Sequence, residues 1–454
     1  MFIFNKLFSK SSAENKKFYK RFLFLSFPVV MSELLAALVN ILDTMMITRG
    51  MGIYELTGAA LATQFYFIFV VVFWGAASAC GIFIGQYYGK GENTNIQKTV
   101  GLGLSMSLII MVLFFIPSFF FPYRVISIFS PHPYVRYLGS QFLRTLSFGF
   151  PLVAITFTRN ACMRNTGQTK LPMITTSVAL IANFVFNVIL IFGINAPLSI
   201  VAFSTVLARF IEMCLQDYLI KRWNVPIKGT IKEYLAYDFA FVKEVFKVGI
   251  FIILSTSAWV IGTSIYNIAY GHIGPHAQGS VKIATSLMQL FQVFGISLGV
   301  ATQIVMTNTL GSGDRELSIR YAKKCVSSSL SVSIVMAVLL IIFAPWIVQV
   351  FGADESVNHY VLMLTYIYSF GLILRTGNFV QLNGIIRSGG DTKFHFYLDL
   401  ISVWAFGIPL AFLGSVVLRL DVYWVVLLVH VDELLKFIAG RWRIKSLKWV
   451  KQIV

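Results

Sequence analysis

Apolar residues fall in long blocks along the chain, separated by short polar breaks, and the blocks of spanning length predict about twelve helices. They lie near 22–48, 57–86, 99–121, 138–163, 171–193, 196–219, 244–271, 279–308, 322–350, 358–386, 394–416 and 421–440. A helix that crosses the roughly 30 Å hydrocarbon layer needs about 20 mainly apolar residues. The first block meets that length yet carries two carboxylates, Glu33 and Asp43. Each one placed at the bilayer centre costs about 2.5 to 3.5 kcal/mol on insertion scales, so something must offset the cost. On a helix Glu33, Asn40 and Asp43 lean toward one side, because seven residues make nearly two turns and i, i+3 neighbours share a face. That side is expected to face a bundle interior.

Composition agrees with the pattern. The 454 residues are 57% hydrophobic and only 12% charged, whereas a soluble domain carries about 25% charged residues. The formal net charge of +18 raises the question of nucleic acid. Its excess sits in short Lys/Arg clusters between the apolar runs, which is how a membrane protein marks cytoplasmic loops, so no nucleic-acid partner is expected. The four cysteines, Cys80, Cys162, Cys214 and Cys325, have no paired or metal-ligand spacing and read as packing residues. The first apolar block is too long and too polar-studded for a signal segment and is expected to stay on the protein.

Basic residues set an expected orientation. With the N-terminus inside, the loops and tails on its side hold 27 Lys/Arg and the opposite loops hold 5, which predicts a plasma-membrane protein with both termini cytoplasmic. The chain also repeats itself. Gly89-Lys90-Gly91-Glu92 matches Gly311-Ser312-Gly313-Asp314, and Ser147-Phe148-Gly149 matches Ser369-Phe370-Gly371, both at an offset of 222. After one inserted residue, the segment from Arg164 to Lys170 matches the segment from Arg387 to Lys393. An even number of helices separates the copies, so the halves share one orientation and an axis along the membrane normal. The expected fold class is an all-α integral membrane protein with twelve transmembrane helices in two six-helix lobes related by a parallel internal repeat. The expected division is a cytoplasmic segment 1–21, a lobe 22–220, a linker 221–243, a second lobe 244–440 and a tail 441–454.

Pro28 and the Asp43-Thr44 pair in the first helix, the Gly-x-Gly-acid turn after helices two and eight, and the Arg-x-x-Gly-x-Thr-Lys segment after helices four and ten resemble the multidrug and toxic compound extrusion family of secondary transporters. The resemblance covers essentially the whole chain. It implies a V-shaped pair of bundles around a central cavity, alternating access, and export of amphiphilic, cationic organic compounds against inward flow of protons or sodium ions, with no cofactor. A monomer is expected.

The resemblance makes Asp43 the first ion-coupling candidate; the plain alternative is an Asp one turn from Arg49 that snorkels to the outer surface. Asn183 and Asn187 share a face at i, i+4, each with a carbonyl and an NH2 group, and resemble the family's Asn-x-x-x-Asp/Asn pair. Asn187 stands where some members carry Asp, which weakens a sodium site at Asp43, Asn183 and Asn187 and favours protons. Thr205 is placed by spacing from Asn183, with helix packing as its alternative. In the second half, where members with a cation site there have acidic residues in helices seven and ten, this chain offers Ser255-Thr256-Ser257 and Arg375. The coupling site is therefore expected in the first half. Glu33 is either a second proton carrier or the partner of a buried Arg, and Arg209 with Glu212 at i, i+3 reads as a structural pair. Asn40, Trp74, Trp259, Gln289, Gln292 and Arg375 are candidates for a substrate cavity, although aromatic residues in membrane helices often pack or anchor at interfaces.

Other patterns carry little. Gly85 to Lys90 is one residue short of a phosphate loop and follows a spanning helix. His272 and His276 flank Gly274-Pro275, which breaks the helix that metal binding would need. Gly81-x-x-x-Gly85 suits a close helix contact. A lipid-linked precursor flippase of a related fold is the nearest rival function, though such folds usually add helices beyond twelve and a strongly basic cavity. A membrane-embedded enzyme would need a metal or nucleophile constellation inside the helices, and none is visible, so the chain is not expected to be an enzyme. The two-lobed repeat with buried carboxylates favours a carrier over a channel.

Overall fold

The computed structural model describes residues 2–130, 132–350 and 355–454, and among them there are helices and turns and no strand. In chain order the helices are α1 (Phe2–Gly50), α2 (Ile53–Lys90), α3 (Asn93–Phe120), α4 (Pro133–Ser147), α5 (Phe150–Asn165), α6 (Lys170–Gly193) and α7 (Leu198–Arg222). The second half follows with α8 (Phe239–Gly271), α9 (Pro275–Gly311), α10 (Arg315–Val350), α11 (Asn358–Gly389), α12 (Thr392–Val417), α13 (Val422–Val429) and α14 (Val431–Lys445). Short helices Pro122–Ser127 and Ile231–Tyr234 lie in the connections.

Ten of these helices are continuous and apolar enough to cross a membrane among the described residues. The other two expected crossings are present but interrupted. The fourth breaks between α4 and α5, where Pro151 stands at the second position of α5; a proline lacks the N–H that would continue the ladder and crowds the preceding residue. The twelfth breaks between α13 and α14 at His430, whose ring Nδ1 donates to the Val426 carbonyl at 2.7 Å and competes with the backbone ladder there. The first crossing also differs from expectation at its start. The polar N-terminal segment is helical and runs without a break into the apolar block, because Ala13, Glu14, Lys16, Lys17, Lys20 and Arg21 are good helix formers and no Gly or Pro stops them.

The repeat is written in the backbone. Left-handed φ values occur at Gly52 and Gly274, at Gly91 and Gly313, and at Gly167 and Gly390, each pair at matching places in the two halves. The non-glycine cases pair in the same way, Asn195 with Arg419 and Asn224 with Leu447. Turns that require this conformation have thus been kept in both copies, and six of the ten positions use the residue that adopts it without a Cβ clash.

By internal packing the chain divides into one unit of residues 31–253 and another of residues 1–30 with 254–454. The first is built on a core that includes Phe69, Phe73, Leu143 and Phe150, with the Phe69 and Phe150 rings stacked at 4.7 Å. The second holds one core around Met288, Leu340, Leu364 and Val425 and another around Phe18, Phe22, Ile304 and Trp449. The connection after α7 is polar as expected but docked: Val225 and Ile227 are buried, and Thr230 and Glu233 form a reciprocal N-terminal cap on the short helix. The Thr230 backbone N–H and hydroxyl both donate to the Glu233 carboxylate and hold its pKa below the ordinary value. Three cysteines are buried in packing positions, but Cys214 on α7 is exposed, a correction to its reading as a packing residue.

Candidate functional site

Within the unit of residues 31–253, the Asn187 side chain on α6 donates from Nδ2 to Asp43 Oδ1 on α1 at 2.9 Å. Asp43 is half-buried and Asn187 buried, so the carboxylate is held at a helix contact and does not simply extend to the surface toward Arg49. Asn187 Oδ1 is buried and accepts no hydrogen bond among the described residues, which leaves an amide carbonyl free for a cation or a proton donor beside the carboxylate. One turn away, Asn183 Nδ2 donates to Ser204 Oγ at 3.2 Å and to Thr205 Oγ1 at 3.3 Å on α7. The structure therefore joins the expected residues in two linked pairs, Asp43 with Asn187 and Asn183 with Thr205. Ser204 belongs to the second pair and is missed by spacing arguments. The α-helix gives way to a π-helical stretch, Ile189–Gly193, two residues after Asn187; such stretches are uncommon and often mark functional positions.

Glu33 lies 3.9 Å from Arg164 Nη2, so it has a basic partner on α5. Asn40 is exposed and does not turn into the unit with Glu33 and Asp43, a correction to the one-sided face that helical spacing suggests. Arg209 and Glu212 form the expected pair at 2.6 Å, and the fully buried Glu212 also accepts from Asn160 at 3.1 Å and Thr176 at 2.9 Å. Of the cavity candidates, Trp74 belongs to this unit and is exposed. Trp259, Gln289, Gln292 and Arg375 belong to the other, where Trp259 packs on the core, Gln289 is exposed and Gln292 is buried.

The MatE family model matches the chain twice, over residues 28–189 and 252–413. The chain belongs to the MatE family. It is accordingly a multi-pass membrane transporter and not an enzyme, and the two matches are the two copies of the repeat. Relatives include the protein named "Probable multidrug resistance protein YoeA" of Bacillus subtilis, 22% identical over 87% of this chain and 86% of its own length. Another is "Multidrug resistance protein MdtK" of Yersinia pseudotuberculosis, 22% identical over 86% of each chain. Among solved structures, "Crystal structure of MATE in complex with MaL6" superposes with a TM-score of 0.86 at 17% identity, over 94% of this chain and 97% of that one. The likeness establishes the fold: twelve helices in two six-helix lobes.

In this MATE transporter the second half carries buried charge that the sequence reasoning overlooks. Among the described residues, its buried carboxylates within helices are not on the seventh and tenth crossings, α8 and α11, but on α12 and α14: Asp399, Asp432 and Glu433, together with Lys436. Arg375 pairs with Glu433 at 3.3 Å, and Asn378 donates to the same carboxylate at 2.8 Å. Lys436 Nζ lies 3.8 Å from Asp399 and 3.7 Å from Asp432. The signal is present as i, i+4 pairs inside apolar runs, His395 with Asp399 and Asp432 with Lys436, a spacing that places a donor and a carboxylate on one helix face.

Proposed function

We propose that this protein is an antiporter of the plasma membrane that exports amphiphilic, cationic organic compounds in exchange for protons. The 2.9 Å bond between Asn187 and Asp43 carries the reading. In its ionised form Asp43 accepts that bond and offers negative charge to a cationic substrate. In its protonated form it keeps hydrogen-bonding capacity without the charge, so one carboxyl answers alternately to ion and substrate. Export of organic compounds is supported by the names of the relatives from Bacillus and Yersinia, which describe multidrug resistance. Sodium is the second candidate as the driving ion, because Asp43 and the free Asn187 Oδ1 are hard oxygen donors. The single carboxylate at the pair favours the proton, since a proton needs one base where a metal ion needs several oxygens. The 27 to 5 bias of basic residues supports cytoplasmic termini.

The test is dye transport in inside-out vesicles under an imposed pH or sodium gradient, comparing wild type with Asp43→Asn. The variant keeps size and hydrogen bonding but cannot titrate. It is expected to insert normally and to lose gradient-driven transport. Wild-type rates in the variant would remove Asp43 from the coupling step, and a response to sodium alone would replace the proton.

A further inference from the structure

The unit of residues 1–30 and 254–454 holds a buried cluster that the Asp43 site does not involve. Three carboxylates, Asp399, Asp432 and Glu433, face three cations, Arg375, Arg387 and Lys436. Asp399, Asp432, Glu433 and Lys436 are each less than a tenth exposed. Two of the carboxylates are well supplied with donors. Asp399 accepts from the Ser255 hydroxyl and lies 3.1 Å from His395 Nε2. Because Arg387 Nε donates to His395 Nδ1 at 2.7 Å, that ring nitrogen must be unprotonated, so the imidazole is neutral and its single proton points at Asp399. Glu433 has the Asn378 amide and the Arg375 guanidinium. Asp432 is poorer: it has the Tyr266 hydroxyl at 3.0 Å and Lys436 at 3.7 Å, beyond hydrogen-bond range.

Lys436 sits almost equally far from Asp399 and Asp432 and is committed to neither. An ammonium in that place occupies the position a metal cation would take, so the cluster suits protons and not sodium. Buried polar atoms beside it lack partners among the described residues: Asn378 Oδ1, whose own amide binds Glu433, and both ends of Gln381. Unsatisfied polar groups of this kind, in a fully buried side chain, indicate room for water or for a hydrogen-bonding change that this arrangement does not use. The surrounding backbone is irregular. π-helical stretches run over Phe379–Ile386 and Ile401–Gly407, and the α13–α14 break at His430 lies two residues before Asp432.

We propose that Asp432 is a second proton-binding site of this transporter, with Lys436 as a movable counter-ion shared between Asp432 and Asp399. One proton from solvent adds to an Asp432 carboxylate oxygen. The ammonium keeps its three protons and closes on Asp399, and the cluster gains one positive charge; deprotonation reverses both movements. The groups facing Asp432 are Tyr266 and Tyr270 from α8, Arg375 from α11, and Glu433 and Lys436 from its own helix, with Asp399 of α12 on the other side of Lys436. Tyr266 reaches Asp432 over Gly407, where any Cβ would collide with the phenol oxygen. Gly407 therefore leaves room for the Tyr266 hydroxyl that supports the ionised form.

This inference rests on the proton-coupled reading for its role in transport, but its test does not need transport. Infrared difference spectra of the purified full-length protein between acid and alkaline pH report the carbonyl band of each protonated carboxyl. Asp432→Asn is expected to remove one component that Asp43→Asn retains, and to flatten the pH profile of dye efflux at least tenfold. If Asp43→Asn removes no component while Asp432→Asn does, the Asp43 reading fails and this one stands. Retention of every component in Asp432→Asn, or loss of it in Asp399→Asn instead, overturns the assignment. Should Asp432→Asn elute as aggregate, Tyr266→Phe decides. Without the hydroxyl that favours the carboxylate, the titration midpoint of that component is expected to move up by about one unit; an unmoved midpoint overturns the proposal.

Discussion

Asn187 and Asp43 are 144 residues apart in sequence, and a single 2.9 Å hydrogen bond ties α6 to the apolar half of α1 through them. A hydrogen bond to a charged group contributes about 1.5 to 3 kcal/mol, which corresponds to about 10- to 100-fold in an equilibrium or a rate. Asn187→Leu, close in size and without an amide, is therefore expected to lower the initial rate of dye efflux by about that factor. Asn183→Leu acts on the Ser204–Thr205 pair and is expected to cost less. Equal, small losses in both variants, measured in vesicles with matched protein content, would make the Asp43 contact structural.

Membrane orientation is tested by thiol chemistry. Lys228 precedes the short helix after α7 and Lys232 lies in it, on the side that the basic residues assign to the cytoplasm. A cysteine introduced at Lys232 in a background lacking the four native thiols is expected to stay unlabelled by an impermeant reagent added to intact cells and to react once the membrane is opened. Labelling in intact cells would invert the topology.

The same connection is held down at one point by a backbone approach. At Gly101 in α3, an added Cβ would collide with the Tyr234 backbone carbonyl. Gly101→Val is expected to lift the Ile231–Tyr234 helix from α3 and to raise the rate of proteolytic cleavage between residues 224 and 238 severalfold. An unchanged cleavage rate would mean that the contact does not hold the segment.

The helices were legible because the bilayer admits few alternatives: backbone polar groups must be satisfied within each crossing, so length and apolarity nearly determine the element. The interruptions were less so. Pro151 announces the α4–α5 break, but the His430 break depends on a ring nitrogen finding its own backbone carbonyl, which spacing does not encode. At the site, Asp43 and the i, i+4 asparagines stood out as polar residues in apolar runs. Which asparagine reaches Asp43 depends on how α1 lies against α6. The α12 and α14 charges are equally visible as residues, but that they meet one another and Arg375 depends on the packing of α14 against α11 and α12, which spacing along one helix does not encode.

Glu212 supplies the sharpest test of what buried charge does for stability. It is fully buried in α7 and accepts from Arg209, Asn160 and Thr176, while Asn160 in turn accepts from Gln216 at 3.0 Å. The Arg209 guanidinium also lies over the Phe157 ring at 5.4 Å. Removing one partner of a buried ion pair leaves the other charge unpaired in low dielectric and costs about 3 to 5 kcal/mol, whereas replacing both with apolar residues of similar volume is often close to neutral. Glu212→Ala is therefore expected to lower the unfolding temperature of the purified protein markedly. Glu212→Gln keeps an acceptor for Asn160 and Thr176 and is expected to fall between that variant and wild type. The double variant Arg209→Met with Glu212→Leu should regain part of the loss despite removing two charges, because it abolishes the stranded cation. If the double variant is less stable than Glu212→Ala, the pair contributes net stability of its own, and the charge balance in this lobe is held by attraction and not merely by the avoidance of an unpaired ion.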